Sequence, residues 1–341
     1  MKKRIILGFI MCLLLVTACG KKKVEKSIEQ NNDDEKIVIE NKEENKKEVS
    51  IIDLNSNSRP YAVVINNYPS AVKVQTGLSD AYMVYEIPVE GGMSRSLALF
   101  KDKYPTKIGT VRSARHNFLD YVMENDAIFV CFGWSHYAQD ELKNKWKIDY
   151  INGLFDSPFW RENPEKLATE HTAYTSLEKV RDYIKNKGYR TTTDVKALLN
   201  YSADEINLSS DGIKADTVII PYSSYYTVKY VYDNSSKTYQ RYVNNVIHKD
   251  YFTGDLFTAK NIIVVKLDFK NTDDNYYLDL YNTGSGKGYY ITNGYAKEIT
   301  WEKKDRSSKT VYKYLDGTEI KVNDGNTYIM IQSVSKETTI E

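Results

Sequence analysis

Tyr82-Met83-Val84-Tyr85-Glu86-Ile87-Pro88-Val89-Glu90-Gly91-Gly92 is a nearly unbroken apolar and aromatic run stopped by two glycines. Its length and continuity predict a strand covered on both faces. Working outward, Tyr61 to Ile65 ends at Asn66-Asn67, Ser96 to Phe100 ends in charge, and Ala127 to Phe132 ends at Gly133; all read as strands. Helical patterns alternate with them over Ser113 to Glu124, Ser135 to Lys145, and Ser176 to Lys187, the last closed by Gly188. Interleaved strands and helices predict a layered α/β domain over residues 59–200.

Beyond Asp216 the helical period disappears. Short strands alternate with turns at Asp233-Asn234, Thr253 to Asp255, Asn271 to Asn275, Gly284 to Gly288, Asn293-Gly294, Asp316-Gly317 and Asp324-Gly325. Of the 29 Tyr, 17 lie after residue 215, as half-exposed pleated surfaces favour. The expected fold class is therefore α/β overall: a layered N-terminal α/β domain, a linker over 201–215, and a mostly antiparallel β domain over 216–336.

The N-terminus predicts location. Lys2, Lys3 and Arg4 precede an uncharged stretch from Ile5 to Ala18, too short to span a bilayer and suited to a signal peptide over residues 1–18. Val16-Thr17-Ala18-Cys19-Gly20 matches a lipobox, which makes Cys19 the expected lipidation site; two acyl chains such as palmitate hold a protein stably on a membrane. Residues 19–58 then read as a charged, disordered tether, with eight Lys and nine Asp+Glu between Gly20 and Ser50 and no aromatic residue. Cys131 is the one cysteine left in the body, and its apolar surroundings predict a buried, inert thiol. The 341 residues carry 47 Lys+Arg against 46 Asp+Glu, a balance that argues against a nucleic-acid partner.

The segment Gly109-Thr110-Val111-Arg112-Ser113-Ala114-Arg115 is the most informative for function. With Ser113 as N-cap, Arg112 and Arg115 would flank a helix start whose free N–H groups already attract anions. Glu86 and Glu90 have an even spacing that would put them on one strand face. Two alternatives stand: an internal Arg–Glu network, or an external carboxylate, phosphate or acidic peptide. Arg95, after the Gly91-Gly92 turn, and Asn66 and Asn67 at a strand end complete the expected cleft. Ser135 and His171 are catalytic candidates of a hydrolase type, but the Gly133-Trp134-Ser135-His136-Tyr137 string lacks the second glycine of a nucleophile elbow, which favours Ser135 as an N-cap. The four scattered histidines suggest no metal site, and nothing suggests a cofactor.

Arg59 to Asn67, Gly77 to Ala81, Val84 to Gly92 and Gly109 to Arg115, then Phe159-Trp160-Arg161, His171 to Thr175, Tyr239-Gln240-Arg241, Gly284-Ser285-Gly286, Asn293-Gly294, Thr300-Trp301 and Asp316-Gly317, resemble the YerB-like family of bacterial lipoproteins. The resemblance covers most of the chain from Arg59 to Val334 and implies a lipid-anchored envelope protein with an N-terminal α/β and a C-terminal β part; it implies no activity. Glu170 before His171 departs from the family pattern. The expectation is a non-enzymatic protein at the extracytoplasmic face of the cell membrane, binding an envelope protein, a peptidoglycan component or another anionic ligand. The alternative is a wall-active hydrolase or transferase using Glu86 and Glu90 as acid and base beside Arg112 and Arg115.

Overall fold

All seven residues of the Met83–Val89 strand are buried, and it lies mid-sheet. It pairs antiparallel with Met93–Phe100 and parallel with Thr327–Ser333. From this pair the sheet extends both ways. On one side Met93–Phe100 pairs with Tyr61–Asn66, which runs parallel to Ile128–Cys131, itself parallel to Tyr150–Asn152. On the other, Thr327–Ser333 runs parallel to Asn261–Leu267, which pairs antiparallel with Gly284–Thr292 and so to Tyr295–Lys303. Among the described residues eleven strands join in this one sheet, so the two sequence halves share a single hydrogen-bonded layer. The computed structural model describes residues 47–272, 274 and 276–341; the expected signal peptide, Cys19 and the tether up to residue 46 lie outside them.

The central strand is covered on both faces because its alternate side chains meet different partners. Tyr85 faces the Phe118–Glu124 helix, its ring 4.7 Å from that of Tyr121 and its hydroxyl donating to Glu124. Glu86 faces a second sheet of antiparallel strands that includes Thr217–Pro221, Thr227–Asp233 and Thr238–Val243. In those strands burial alternates residue by residue, the signature of one covered face. Tyr230 from this second sheet packs edge-on against Tyr328 of the first. The fold is mixed and rich in strands.

Several expectations need correction. The helix expected from Ser113 begins at Phe118, with Asn117 as cap. Residues 111–114 are extended instead: the Arg112 N–H donates to Val64 O, the Ala114 N–H to Gly133 O, and Arg112 O accepts from Phe132 N–H. Tertiary pairing has taken the backbone groups a helix would need. The Ser135–Lys145 helix is α-helical only over His136–Asp140 and continues as a π-helical turn over Glu141–Lys145. Gly284 to Gly288 is not a turn but the start of a nine-residue strand. A Cβ on Gly286 would meet the Trp301 ring at 2.6 Å, and one on Gly288 would meet Val264 O at 2.0 Å, so close approach explains these glycines. The turn lies at Asn293-Gly294, with φ of 51° and 77°.

Residues 47–58, expected in the tether, lie against the body. The N–H groups of Ser50 and Ile51 donate to the Asp324 carboxylate, and Ile52 is buried. Within 201–215, read as a linker, Leu208 is buried and Ile213–Lys214 pairs with the edge of the large sheet. Cys131 is a free, buried thiol, and burial pushes it above its ordinary titration range.

Candidate functional site

The cleft forms where Tyr61–Asn66 ends, Met93–Phe100 begins and the extended Thr110–Ala114 segment crosses the strand ends. Pairing through Ile65↔Val111 buries Val111, and the pleat then turns Arg112 to the opposite side. The opening is about 370 Å³ and is lined by Asn66, Glu90, Arg95 and Arg112, with Tyr68 and Tyr225 on its walls. That volume suits a small ligand.

The structure separates the expected carboxylates. The strand stops at Val89, and Glu90 enters a turn with Gly91 at φ 71°, so Glu86 and Glu90 share no strand face. Glu90 points to the cleft and takes both charged donors of Arg115: Nε at 2.8 Å from Oε2, and Nη2 on Oε1. Arg95 lies 3.8 Å from the same carboxylate, and its Nη1 donates to Ser113 O. Glu86 is buried among Ser94 Oγ at 2.6 Å, Tyr226 OH at 2.8 Å and Arg241 Nη2 at 2.7 Å. A carboxylate so enclosed has no route to a substrate, which removes the Glu86/Glu90 acid–base pair.

Arg115 therefore follows the internal-network alternative and Arg112 does not. Among the described residues no hydrogen bond or ion pair engages the Arg112 guanidinium. Burial lowers its pKa, Glu170 opposes that shift, and Arg115 adds to it. Arg95 is held well below its ordinary range by burial and then by the Arg115 charge. Burial would raise Glu90, but the Arg115 pair outweighs it and keeps the carboxyl below its usual range. Two guanidinium groups, of Arg115 and Arg95, thus share one carboxylate and Arg112 lines the same cleft, leaving positive charge for an anion.

The remaining candidates have structural partners. Asn67 donates to Ser94 Oγ and Ser96 Oγ at 3.1 and 3.0 Å, which steadies the cleft floor. Ser135 Oγ accepts from Ala138 N–H at 3.2 Å as a helix N-cap. His171 Nδ1 faces Asn66 Nδ2 at 2.8 Å, and its ring stacks on Tyr68. Burial and then Arg112 lower its pKa, so the neutral ring accepts at Nδ1. Neither Ser135 nor His171 bonds to the other. Among the described residues no group of three His, Cys, Asp or Glu is placed to hold a metal ion. Tyr68 and Tyr225 escaped the sequence reading; a tyrosine in a chain with 29 of them carries no distinguishing signal.

Two family models match the chain, described as the N-terminal and C-terminal domains of a protein of unknown function, DUF3048, over residues 49–190 and 218–329. A Bacillus subtilis (strain 168) protein named "Putative lipoprotein YerB" is 33% identical over 272 residues, 78% of this chain and 76% of that one. This chain belongs to the DUF3048 family. The crystal structure of the YerB protein from Bacillus subtilis matches with a TM-score of 0.73 at 32% identity, covering 83% of this chain and 94% of that one. In this DUF3048 chain, strings from both family-model regions meet in space. Asn66, Glu90 and Arg112 line the cleft, while Arg241, from the other family model's region, neutralises Glu86 directly behind it.

Proposed function

We propose that this protein is a lipid-anchored, non-enzymatic component of the cell envelope that binds an anionic ligand through Arg112 and Arg95. Its anchor is a diacylglyceryl group on Cys19, and its body stands on the extracytoplasmic face of the membrane. Support for the anchor comes from the Val16 to Gly20 string and from the lipoprotein name of the Bacillus relative. None of the described helices is long and apolar enough to cross a membrane, so a lipid is the means of attachment in this proposal. The body is read as a layered α/β part over 59–200 and a mostly antiparallel part over 216–336. The partner is an envelope protein or peptidoglycan component that presents a carboxylate or phosphate.

One observation carries the ligand proposal: Arg112 lines the cleft and, among the described residues, its guanidinium makes no hydrogen bond or ion pair, while its neighbour Arg115 is held by Glu90. A guanidinium fork without a partner in a partly buried opening favours a bidentate anion. Titration of the full chain with acetate and with phosphate, followed by NMR, tests it. Saturable binding that Arg112→Gln lowers by about tenfold or more, the scale of one charge-assisted contact, supports the proposal. Equal binding by the variant sinks it. Palmitate labelling lost in Cys19→Ala tests the anchor separately.

A further inference from the structure

The anion proposal leaves two tyrosines unexplained, and they identify the rest of the ligand. Tyr68 and Tyr225 are 51% and 55% exposed, and both line the Arg112 cleft. Exposed tyrosines ordinarily move freely, but these two are fixed. The Tyr68 ring lies on the His171 imidazole, with centroids 4.9 Å apart and planes 14° from parallel; its N–H donates to Asn66 Oδ1, and Pro69 follows it. His171 is in turn held by Asn66. Tyr225 donates its hydroxyl to Gly91 O and accepts from Asn244 Nδ2 at its own carbonyl. Each ring is thus held by its surroundings while remaining half exposed. A rigid aromatic face binds with little loss of side-chain freedom.

We infer that the ligand is a carboxylated sugar, its carboxylate on Arg112 and its ring against Tyr68; this rests on the anion site proposed above. The chemistry of Glu90 narrows the class. Its carboxylate is ionised and bonded to Arg115, yet each oxygen keeps lone-pair capacity for one further donor. A ligand therefore does best with a negative group at one end and hydroxyl donors near the other. A sugar acid offers both, together with a C–H face for an aromatic ring. A compact, multiply charged phosphate would meet Glu90 unfavourably, and a purely apolar acid would leave it without a new donor. Peptide recognition through the backbone has little template here, because Met83 to Glu86 and Arg95 to Leu99 are paired on both sides and Pro88, which has no N–H, interrupts the one-sided end of the first strand.

The test titrates the full chain with glucuronate, N-acetylmuramate, glucose and acetate by saturation-transfer NMR and calorimetry. A sugar acid binds about tenfold more tightly than either glucose or acetate, and whichever of the two acids binds more tightly names the source. Tyr68→Ala lowers sugar-acid affinity by about fivefold, the scale of one ring contact, and leaves acetate unchanged, whereas Tyr68→Phe keeps the ring and the affinity. Arg112→Gln removes sugar acid and acetate together. Acetate binding as tightly as both sugar acids overturns the sugar inference while the anion site stands. Glucose binding as tightly as the acids overturns it as well. If none of the acids binds, the anion site falls with it. Unchanged thermal midpoints in the Tyr68 variants show that the readout is binding rather than folding.

Discussion

Replacing Arg241 with Met isolates the buried ion pair that joins the two sequence halves. Glu86 and Arg241 are 2.7 Å apart with side chains 0% and 2% exposed. In Arg241→Met the carboxylate keeps the hydroxyls of Ser94 and Tyr226 but loses its counter-charge. His248 Nδ1 also loses its guanidinium partner. Leaving one member of such a pair alone costs roughly 3–5 kcal/mol. In a body of this size each kcal/mol lowers the melting midpoint by about 2–4 °C, so a fall of about 10 °C is expected. Urea unfolding followed by tyrosine fluorescence reads the loss as a lower midpoint with unchanged slope. The double variant Glu86→Leu/Arg241→Met removes both charges and recovers most of the stability, because well-packed apolar replacements for a buried pair are often neutral. A single variant within about 1 kcal/mol of the parent would refute the reasoning.

Three other outcomes follow from particular contacts. Gly288→Ala places a methyl where Val264 O lies 2.0 Å away on a paired strand, and should cost several times more stability than Gly91→Ala. At Gly91 a Cβ meets nothing, and only the φ of 71° is penalised, by about 1 kcal/mol; thermal melts compare the two. Cys131 should stay unreactive toward a thiol reagent until the protein unfolds, with full labelling in denaturant and none in buffer. Burial raises Asp120 to about 6, ahead of the opposing Arg306 charge. A carboxyl raised in the folded state contributes stability at pH below about 4 that is lost as pH rises through about 6. Melting Asp120→Asn and the parent across that window should show a flatter pH profile for the variant, and parallel profiles would exclude Asp120 as the source.

The strands were legible because burial writes itself into runs such as Tyr82 to Val89 and into alternation after residue 216. Helix starts were less so. Ser113 is a good local N-cap signal, but pairing of Arg112 and Ala114 with strand ends distant in sequence overrides it. The glycines from 284 to 288 have turn composition, and only the partners across the sheet, Trp301 and Val264, explain them. Arg95, Arg112, Asn66 and Glu90, singled out as charged or polar residues beside strand ends, do line one cleft. Glu86 was misplaced because the strand ends one residue before Glu90, and its true partner lies 155 positions away in Arg241. No local pattern carries such a pairing, nor the choice of Tyr68 and Tyr225 from 29 tyrosines.

The most direct measurement is a crystal structure of the chain soaked in 4-bromobenzoate, with anomalous scattering used to locate the bromine. An anion site built on Arg112 places the carboxylate in bidentate contact with that guanidinium, and the bromine between Tyr68 and Tyr225. An empty cleft with Arg112 folded onto Glu170, or bromine density only elsewhere on the surface, would contradict it.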